Sequence, residues 1–195
     1  MITDFMFDIE SLDTKPSCVV LSIGLTGFNV KDSHSGIPLA EYFPMGTKDY
    51  RDEQIMLGRT VSKDTVEWWK QQSKQAQRVF KVSSGRKIPD MLTQIADLIT
   101  GDNVCKDPNI WGNGPDLDNA AIASLFELYD ITVPWKFYQN RDYRTINKEH
   151  GHIAKRIPHN GTKHNALDDA IHQTHQLHEI YRALQAAKIP TYKGK

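Results

Sequence analysis

The sequence has few cysteines, no net charge and no long apolar run, and each absence excludes a class of protein. Cys18 and Cys105 are its only cysteines, too few for a disulfide framework and too isolated for a metal motif. The 24 basic and 24 acidic side chains cancel, so net charge predicts neither a nucleic-acid nor a membrane partner. No apolar stretch approaches the roughly 20 residues of a membrane span. Acidic residues also interrupt the N-terminal stretch where a signal peptide would be apolar.

The length of 195 residues favours one domain over residues 1–195. The absences favour a reducing cytoplasm and no membrane partner. Positive charge is nevertheless concentrated locally, between residues 136 and 164. This local excess is compatible with a phosphate backbone as partner, and equally with a solvated loop region. The basic residues are Lys136, Arg141, Arg144, Lys148, Lys155, Arg156 and Lys163, opposed only by Asp142 and Glu149.

The apolar pattern changes along the chain from strands to alternating helices and strands. The first three predicted strands follow one another, which favours an antiparallel meander. The whole order indicates an α/β or α+β domain, a mixed sheet flanked by helices. Strands are predicted at 5–9, 18–30, 37–43, 109–111 and 131–137. Four helices are predicted: one opened by a capping box at Asp64–Glu67, one that begins at Pro89, one over 120–129, and one over 167–187 that Pro190 ends. The segment 149–163 is the candidate mobile loop.

Two acidic residues end the first predicted strand, in Met6-Phe7-Asp8-Ile9-Glu10. Alternation along a strand places Asp8 and Glu10 on the same face. Adjacent carboxylates repel each other, and a shared cation offsets both this repulsion and the cost of removing them from water. An exposed strand face is the alternative, which the apolar neighbours disfavour.

Two later motifs supply further acidic residues and a histidine. They read Trp111-Gly112-Asn113-Gly114-Pro115-Asp116-Leu117-Asp118-Asn119 and His164-Asn165-Ala166-Leu167-Asp168-Asp169. Mg²⁺ prefers oxygen ligands, and two such ions about 4 Å apart can hold the attacking and leaving oxygens of an in-line displacement. Imidazole suits the role of base because its ordinary pKa lies near neutrality. The acidic motifs therefore predict a two-metal site, with Mg²⁺ or Mn²⁺, for phosphodiester hydrolysis.

Taken in order, these motifs resemble the DEDD 3'–5' exonucleases of the His-containing DEDDh type (DnaQ-like and RNase T-like), which have an RNase H-like fold. The resemblance covers almost the whole chain. It implies that His164 is the general base and that the metal ligands are Asp8, Glu10, Asp118 and Asp169. The segments 65–69 and 140–145 further resemble a phage and prophage subgroup of these exonucleases.

Two motif positions admit two residues each. The family usually has an aromatic residue before its middle Asp, and the apolar Leu117 makes Asp118 a better match than Asp116. In the last motif the family His precedes its Asp by five positions, which selects Asp169 over Asp168. Asp116 would then be a surface or capping residue, and Asp168 a helix-start residue.

Substrate contacts are expected mainly beside the motifs. The family often wedges a side chain next to the terminal base after its first motif, where this chain has Leu12. The remaining expected contacts are Asn113, Arg141, Lys163 and Asn165. Trp68 and Trp69 suit either base stacking or packing in the core. His172, His175 and His178 recur every three residues, which favours solvent or packing roles over a metal site.

The leading functional hypothesis is a metal-dependent exonuclease that degrades single-stranded nucleic acid from its 3' end to nucleoside 5'-monophosphates. DNA and RNA both stay open, because no residue identifies a contact to the 2'-hydroxyl. The alternatives are an RNase H-like endonuclease and a non-catalytic binding or proofreading accessory module. Relatives with short chains suggest a homodimer.

Overall fold

A five-stranded sheet forms the centre of the computed structural model, which describes residues 1–32, 34, 36–114 and 116–187. The strand order is β3-β2-β1-β4-β5. The strands are β1 (Ile2–Ser11), β2 (Val20–Phe28), β3 (Leu39–Pro44), β4 (Val104–Gly112) and β5 (Asn140–Asp142). The helices are α1 (Lys48–Met56), α2 (Lys63–Lys70), α3 (Ile88–Thr100), α4 (Asp118–Leu128), α5 (Tyr143–Ala154) and α6 (Ala166–Ala186), and short 3-10 helices cover Ala76–Lys81 and Phe137–Gln139.

The first three strands form the predicted antiparallel meander, and the last two run parallel to β1. β1 is therefore the central strand, with β2 on one side and β4 on the other. Its register places Asp8 opposite Gly24 and Glu10 opposite Ser22. A polar side chain at the end of this strand is thus surrounded by protein.

The two faces of β1 carry different contents, as strand alternation requires. Phe5, Phe7 and Ile9 pack into the larger apolar core, which α3 and α4 cover. Met6 packs on the opposite face, in a smaller cluster that contains Ala170 of α6. Asp8 and Glu10 share this second face, so the N-terminal half of α6 lies next to them.

Close contact between α6 and the sheet depends on a glycine. A Cβ added at Gly24 would lie 2.1 Å from the carbonyl oxygen of Ala166, the first residue of α6. Only a residue without a side chain permits this approach. Since Gly24 lies opposite Asp8, the start of α6 is held against the acidic end of β1.

Residues 131–137, predicted as a strand, do not form one, and β5 begins later, at Asn140. Pro134 lacks the N–H that a ladder needs. The neighbouring Trp135 is buried against Phe7 and Phe126, with ring centroids 5.7 Å and 5.9 Å away. The apolar residues of this segment therefore pack in the core and do not pair as a strand.

Three helices also differ from the sequence expectations. The helix α1 was not predicted; its buried Gln54 bonds both the N–H and the carbonyl of Val20, a long-range contact. The N-cap of α2 is Ser62, which accepts the N–H of Thr65, so the capping box at Asp64 is wrong. The expected loop 149–163 is shorter, because α5 continues to Ala154.

Pro190, which was expected to end the last helix, lies outside the described residues. Within the described residues, no helix has the length and apolarity needed to cross a membrane.

Candidate active site

Three carboxylates are buried together where β1 meets the start of α4. Asp8 and Glu10 are each 7% exposed, and Asp118 is 4% exposed. The side chain of Asp118 bridges two segments: its Oδ1 accepts the N–H of Ile9 at 3.1 Å, and its Oδ2 accepts the N–H of Asn113 at 2.8 Å. Pairing of β1 with β4 ends at Met6, so Asp118 takes the place of a strand partner for Ile9.

Asp116 lies in a different environment from Asp118. It is exposed to solvent, whereas Asp118 opens α4 inside the acidic cluster. A Cβ at Gly112 would lie 3.1 Å from the Cβ of Asp118, which shows how closely α4 approaches the end of β4. The geometry therefore favours the assignment of Asp118 to the middle motif.

Asp169 approaches the same cluster from the first turn of α6. Its Oδ2 accepts the backbone N–H of His164 at 2.9 Å, and its Oδ1 lies 2.6 Å from Nε2 of His159. The neighbouring Asp168 turns toward the preceding loop, where it accepts the N–H of Thr162 at 2.7 Å. Asp169 thus faces the cluster, and Asp168 orders the loop before the helix.

His164 completes the group that the sequence predicted. One ligand atom each from Glu10, His164 and Asp169 lie within 4.8 Å of one another. The backbone of His164 adopts a positive φ of 62°, which is uncommon for a residue with a side chain. Its ring packs edge-to-face on Trp68, with centroids 4.9 Å apart. The structure therefore brings together all five predicted catalytic side chains.

Burial and mutual repulsion both act on the clustered acids. Burial, followed by the charges of Asp118, Glu10 and Asp169, raises the pKa of Asp8 well above its ordinary value. Burial, followed by Asp169 and Asp118, does the same to the pKa of Glu10. Burial raises the pKa of Asp118 to about 6, although three backbone N–H groups partly offset the shift. A group of oxygen ligands with this unrelieved charge suits a divalent cation.

Two orienting side chains were not predicted from the sequence. Gln173 is buried in α6, and its Nε2 donates to Oδ1 of Asp8 at 2.7 Å. It lies four residues after Asp169, so helical periodicity could have placed it on the same face. His159 contacts Asp169 from a loop, and no local sequence pattern signals that contact.

The expected substrate residues have varied surroundings. The side chain of Leu12 is buried with Val19, Leu21 and Trp69. Asn165 caps α6 by accepting the N–H groups of Leu167 and Asp168.

The other three expected residues lie nearer to solvent. Lys163 is exposed beside His164, and Asn113 is half-buried and donates its N–H to Asp118. Arg141 donates to the carbonyls of Tyr138 and Asn140. It lines a cavity together with Trp111 and Tyr181. That cavity includes none of the clustered acids.

The two adjacent tryptophans and the three histidines of α6 have different surroundings. Trp69 is buried and donates its Nε1–H to the carbonyl of Ser11 at 2.9 Å, whereas Trp68 is exposed beside His164. His178 is buried against Phe28, consistent with packing. His175 is exposed to solvent, and His172 packs on the ring of His159.

Comparison with known families identifies the chain's relatives. The 3'-5' exoribonuclease Rv2179c-like domain matches residues 3–181. The chain belongs to this family. It is therefore a 3'–5' exonuclease, which confirms the enzyme class predicted from the three motifs. No curated protein matches the chain.

Solved structures with low sequence identity share the fold. S. pombe Pop2p, in its Mg²⁺- and Mn²⁺-bound form, is 14% identical with a TM-score of 0.61, over 97% of this chain and 86% of that one. E. coli Exonuclease I in complex with a dA16 oligonucleotide is 15% identical with a TM-score of 0.59, over 96% and 42%. The nuclease domain of 3'hExo, a DEDDh family member bound to rAMP, is 14% identical with a TM-score of 0.55, over 94% and 93%. These similarities confirm the predicted RNase H-like α/β fold.

Proposed function

We propose that this exonuclease shortens single-stranded nucleic acid, RNA foremost, from the 3' end and releases nucleoside 5'-monophosphates with two divalent cations. The observation that carries the proposal is the convergence of Asp8, Glu10, Asp118 and Asp169 beside His164. The family description favours RNA. DNA is proposed as a second substrate, because a protein of the same fold is solved in complex with a DNA oligonucleotide.

The four acids suit two Mg²⁺ or Mn²⁺ ions. Asp8, Glu10 and Asp118 are buried with raised pKa values, and the described residues around them place no Lys or Arg in hydrogen-bond contact with their carboxylates. Bound cations would supply the positive charge that stabilises the attacking and leaving oxygens at phosphorus. The structural relative with Mg²⁺ and Mn²⁺ bound supports this choice of ion.

His164 is proposed to act as the general base. Its ring lies beside Glu10 and Asp169, at the edge of the acidic cluster, and is half-buried. The ring nitrogen takes a proton from the attacking water as the new P–O bond forms, and the bond from phosphorus to the 3' oxygen breaks. Trp68 restrains the ring from the side by its edge-to-face contact.

Binding of the 3' end is assigned to groups that surround this cluster. The cavity next to Leu12, lined also by Val66, Trp69 and Phe80, offers an apolar surface for a base. Arg144 is exposed, contacts the carbonyl of Asn113 at 2.6 Å and carries positive charge toward Asp118. Exposed Lys163 adds positive charge on the His164 side. These cations would meet phosphates of the strand.

Digestion of matched RNA and DNA oligonucleotides tests the proposal. Single-stranded and duplex forms labelled at the 5' end should shorten by single nucleotides with Mg²⁺ or Mn²⁺, single strands faster than duplexes. Chelation should stop the reaction, and added Mg²⁺ should restore it. Internal fragments would instead indicate an endonuclease, and binding without cleavage would indicate an accessory module. Undiminished activity in excess chelator would contradict the cation requirement.

Two finer assignments from the sequence also stay proposals. Because residues 65–69 and 140–145 resemble phage and prophage exonucleases, we propose that the chain belongs to that subgroup. A homodimer is proposed from short-chain relatives, and light scattering of the purified protein would test it.

A further inference from the structure

His159 has a contact that the mechanism proposed above does not use. Its side chain is 13% exposed, and its Nε2 lies 2.6 Å from Oδ1 of Asp169. A carboxylate only accepts hydrogen bonds, so Nε2–H is the donor. Because Nε2 is engaged with Asp169 and the other ring nitrogen, Nδ1, is buried, neither nitrogen of His159 is exposed to take a proton from water, and that role stays with His164.

The two oxygens of Asp169 are held separately. Oδ1 accepts from His159, and Oδ2 accepts the backbone N–H of His164 at 2.9 Å. A carboxylate offers about four lone-pair positions, so each oxygen retains one for a cation. This arrangement fixes the plane of the carboxylate while leaving it able to bind metal next to Glu10.

A ring contact also restrains His159. The ring of His172 packs against it, with centroids 4.8 Å apart and planes inclined by 52°. Among the described residues, Nδ1 of His159 has no hydrogen-bond partner, although this atom is buried. The hydrogen bond to Asp169 is therefore the polar contact that accounts for the orientation of His159.

We propose that His159 is a positioning residue that orients Asp169 for the divalent cation, through the hydrogen bond from its Nε2. This inference rests on the proposed function, because it assigns Asp169 as a metal ligand. Groups that hydrogen-bond to a metal ligand typically change metal affinity or activity about 10–100-fold when they are removed. His159 should therefore affect cation binding even without nucleic acid.

The experiment compares three variants with matched chemistry. His159→Gln places an N–H donor at a reach similar to Nε2, and His159→Leu fills a similar space without a donor. His175→Gln is the control, since His175 lies exposed on α6. Mn²⁺ affinity is measured by titration calorimetry on the chelator-stripped full chain without nucleic acid, and kcat is measured at saturating Mn²⁺.

The expected result is a selective loss in one variant. His159→Leu should bind Mn²⁺ about 10–100-fold more weakly, whereas His159→Gln and His175→Gln should stay close to the wild type. Wild-type Mn²⁺ affinity in the Leu variant would overturn the proposal. So would an equal loss in the Gln and Leu variants, because packing and not the donor would then be responsible.

Two further outcomes are separable. If the Leu variant does not fold by circular dichroism, His159→Asn replaces it, since its shorter side chain withdraws the donor from Asp169. Wild-type affinity in the Asn variant would then overturn the proposal, and weakened affinity would support it. A wild-type chain that neither binds Mn²⁺ nor releases mononucleotides would refute the proposed function itself, whereas an active wild type with an unaffected Leu variant would refute only the role of His159.

Discussion

The two sides of the acidic cluster are built differently. On the sheet side, Asp8, Glu10 and Asp118 are buried at the end of the central strand, and Asp118 is held by backbone N–H groups. On the helix side, Asp169 and His164 are half-buried and follow the loop between α5 and α6. The sheet side is fixed by the core of the fold, whereas the helix side depends on a loop.

This difference indicates that the two sides have different roles in catalysis. The sheet side supplies charge at fixed positions, which a pair of cations requires. The helix side carries the base, and His164 sits there at a positive φ between a tryptophan and an aspartate. Gly161, also at a positive φ, lies next to Asp168 in the same loop. Loss of any of the four acids should therefore remove activity, whereas loss of the base His164 on the helix side should reduce its rate.

The largest effect is expected from the buried acids on the sheet side. Asp8→Asn keeps the oxygen that accepts from Gln173 but removes the charge, so nucleotide release should fall to background while the fold is kept. Asp118→Asn should also abolish release, whereas Asp116→Asn should cost little because Asp116 is exposed. Mononucleotide release and circular dichroism measure both effects.

The same comparison applies to the last motif. Asp169→Asn should abolish release, and Asp168→Asn should act mainly through the loop that Asp168 orders. If Asp116 or Asp168 proved to be the essential member of its pair, the assignment of ligands to the cluster would be wrong.

A smaller effect is expected from the base on the helix side. His164→Ala should lower kcat by about 10²–10⁴-fold, the usual worth of general-base catalysis. Cation binding should be largely kept, since the four acids remain. A variant with wild-type kcat at saturating cation and substrate would show that His164 is only a loop residue.

The smallest effect concerns the stability of the cation-free protein. Folding raises the pKa values of Asp8, Glu10 and Asp118, so their protonated forms stabilise the folded state at pH values below about 4. That stability is lost as pH rises through the folded values, which for Asp118 is about 6. In chelator at pH 8, Asp8→Asn should therefore raise Tm, by about 2–4 °C for each kcal/mol of relieved repulsion.

Differential scanning fluorimetry of Asp8→Asn and the wild type at pH 5 and pH 8 measures this effect. The gain in Tm should be larger at pH 8, and Mg²⁺ should stabilise the wild type more at pH 8 than at pH 5. Asp116→Asn serves as the exposed control. An equal Tm difference at both pH values would show that the clustered charges do not limit stability.

Sequence patterns predicted the sheet side better than the helix side. Strand alternation places Asp8 and Glu10 on one face of β1, and both are buried there. This feature depends on local periodicity, which a sequence displays directly, whereas the choice of Asp118 over Asp116 rests on the resemblance to the exonuclease motif. The strand expected at 131–137 failed because Trp135 packs in the core, a contact that local pattern does not reveal.

The contacts of the helix side depend on distant parts of the chain. His159 reaches Asp169 through the path of a loop, and Trp68 reaches His164 from α2. Neither pairing has a fixed sequence spacing. Gln173 is intermediate: its place on α6 follows from helical spacing, but its bond to Asp8 depends on how closely α6 packs at Gly24.

The central claim is that the two sides together hold a pair of divalent cations. Anomalous diffraction from crystals of the full chain grown with Mn²⁺ and a nucleoside 5'-monophosphate tests it most directly. The account predicts two Mn²⁺ peaks about 4 Å apart, bounded by Asp8, Glu10, Asp118 and Asp169, with His164 beside them. Mn²⁺ peaks elsewhere on the protein, with none among these four acids, would contradict it.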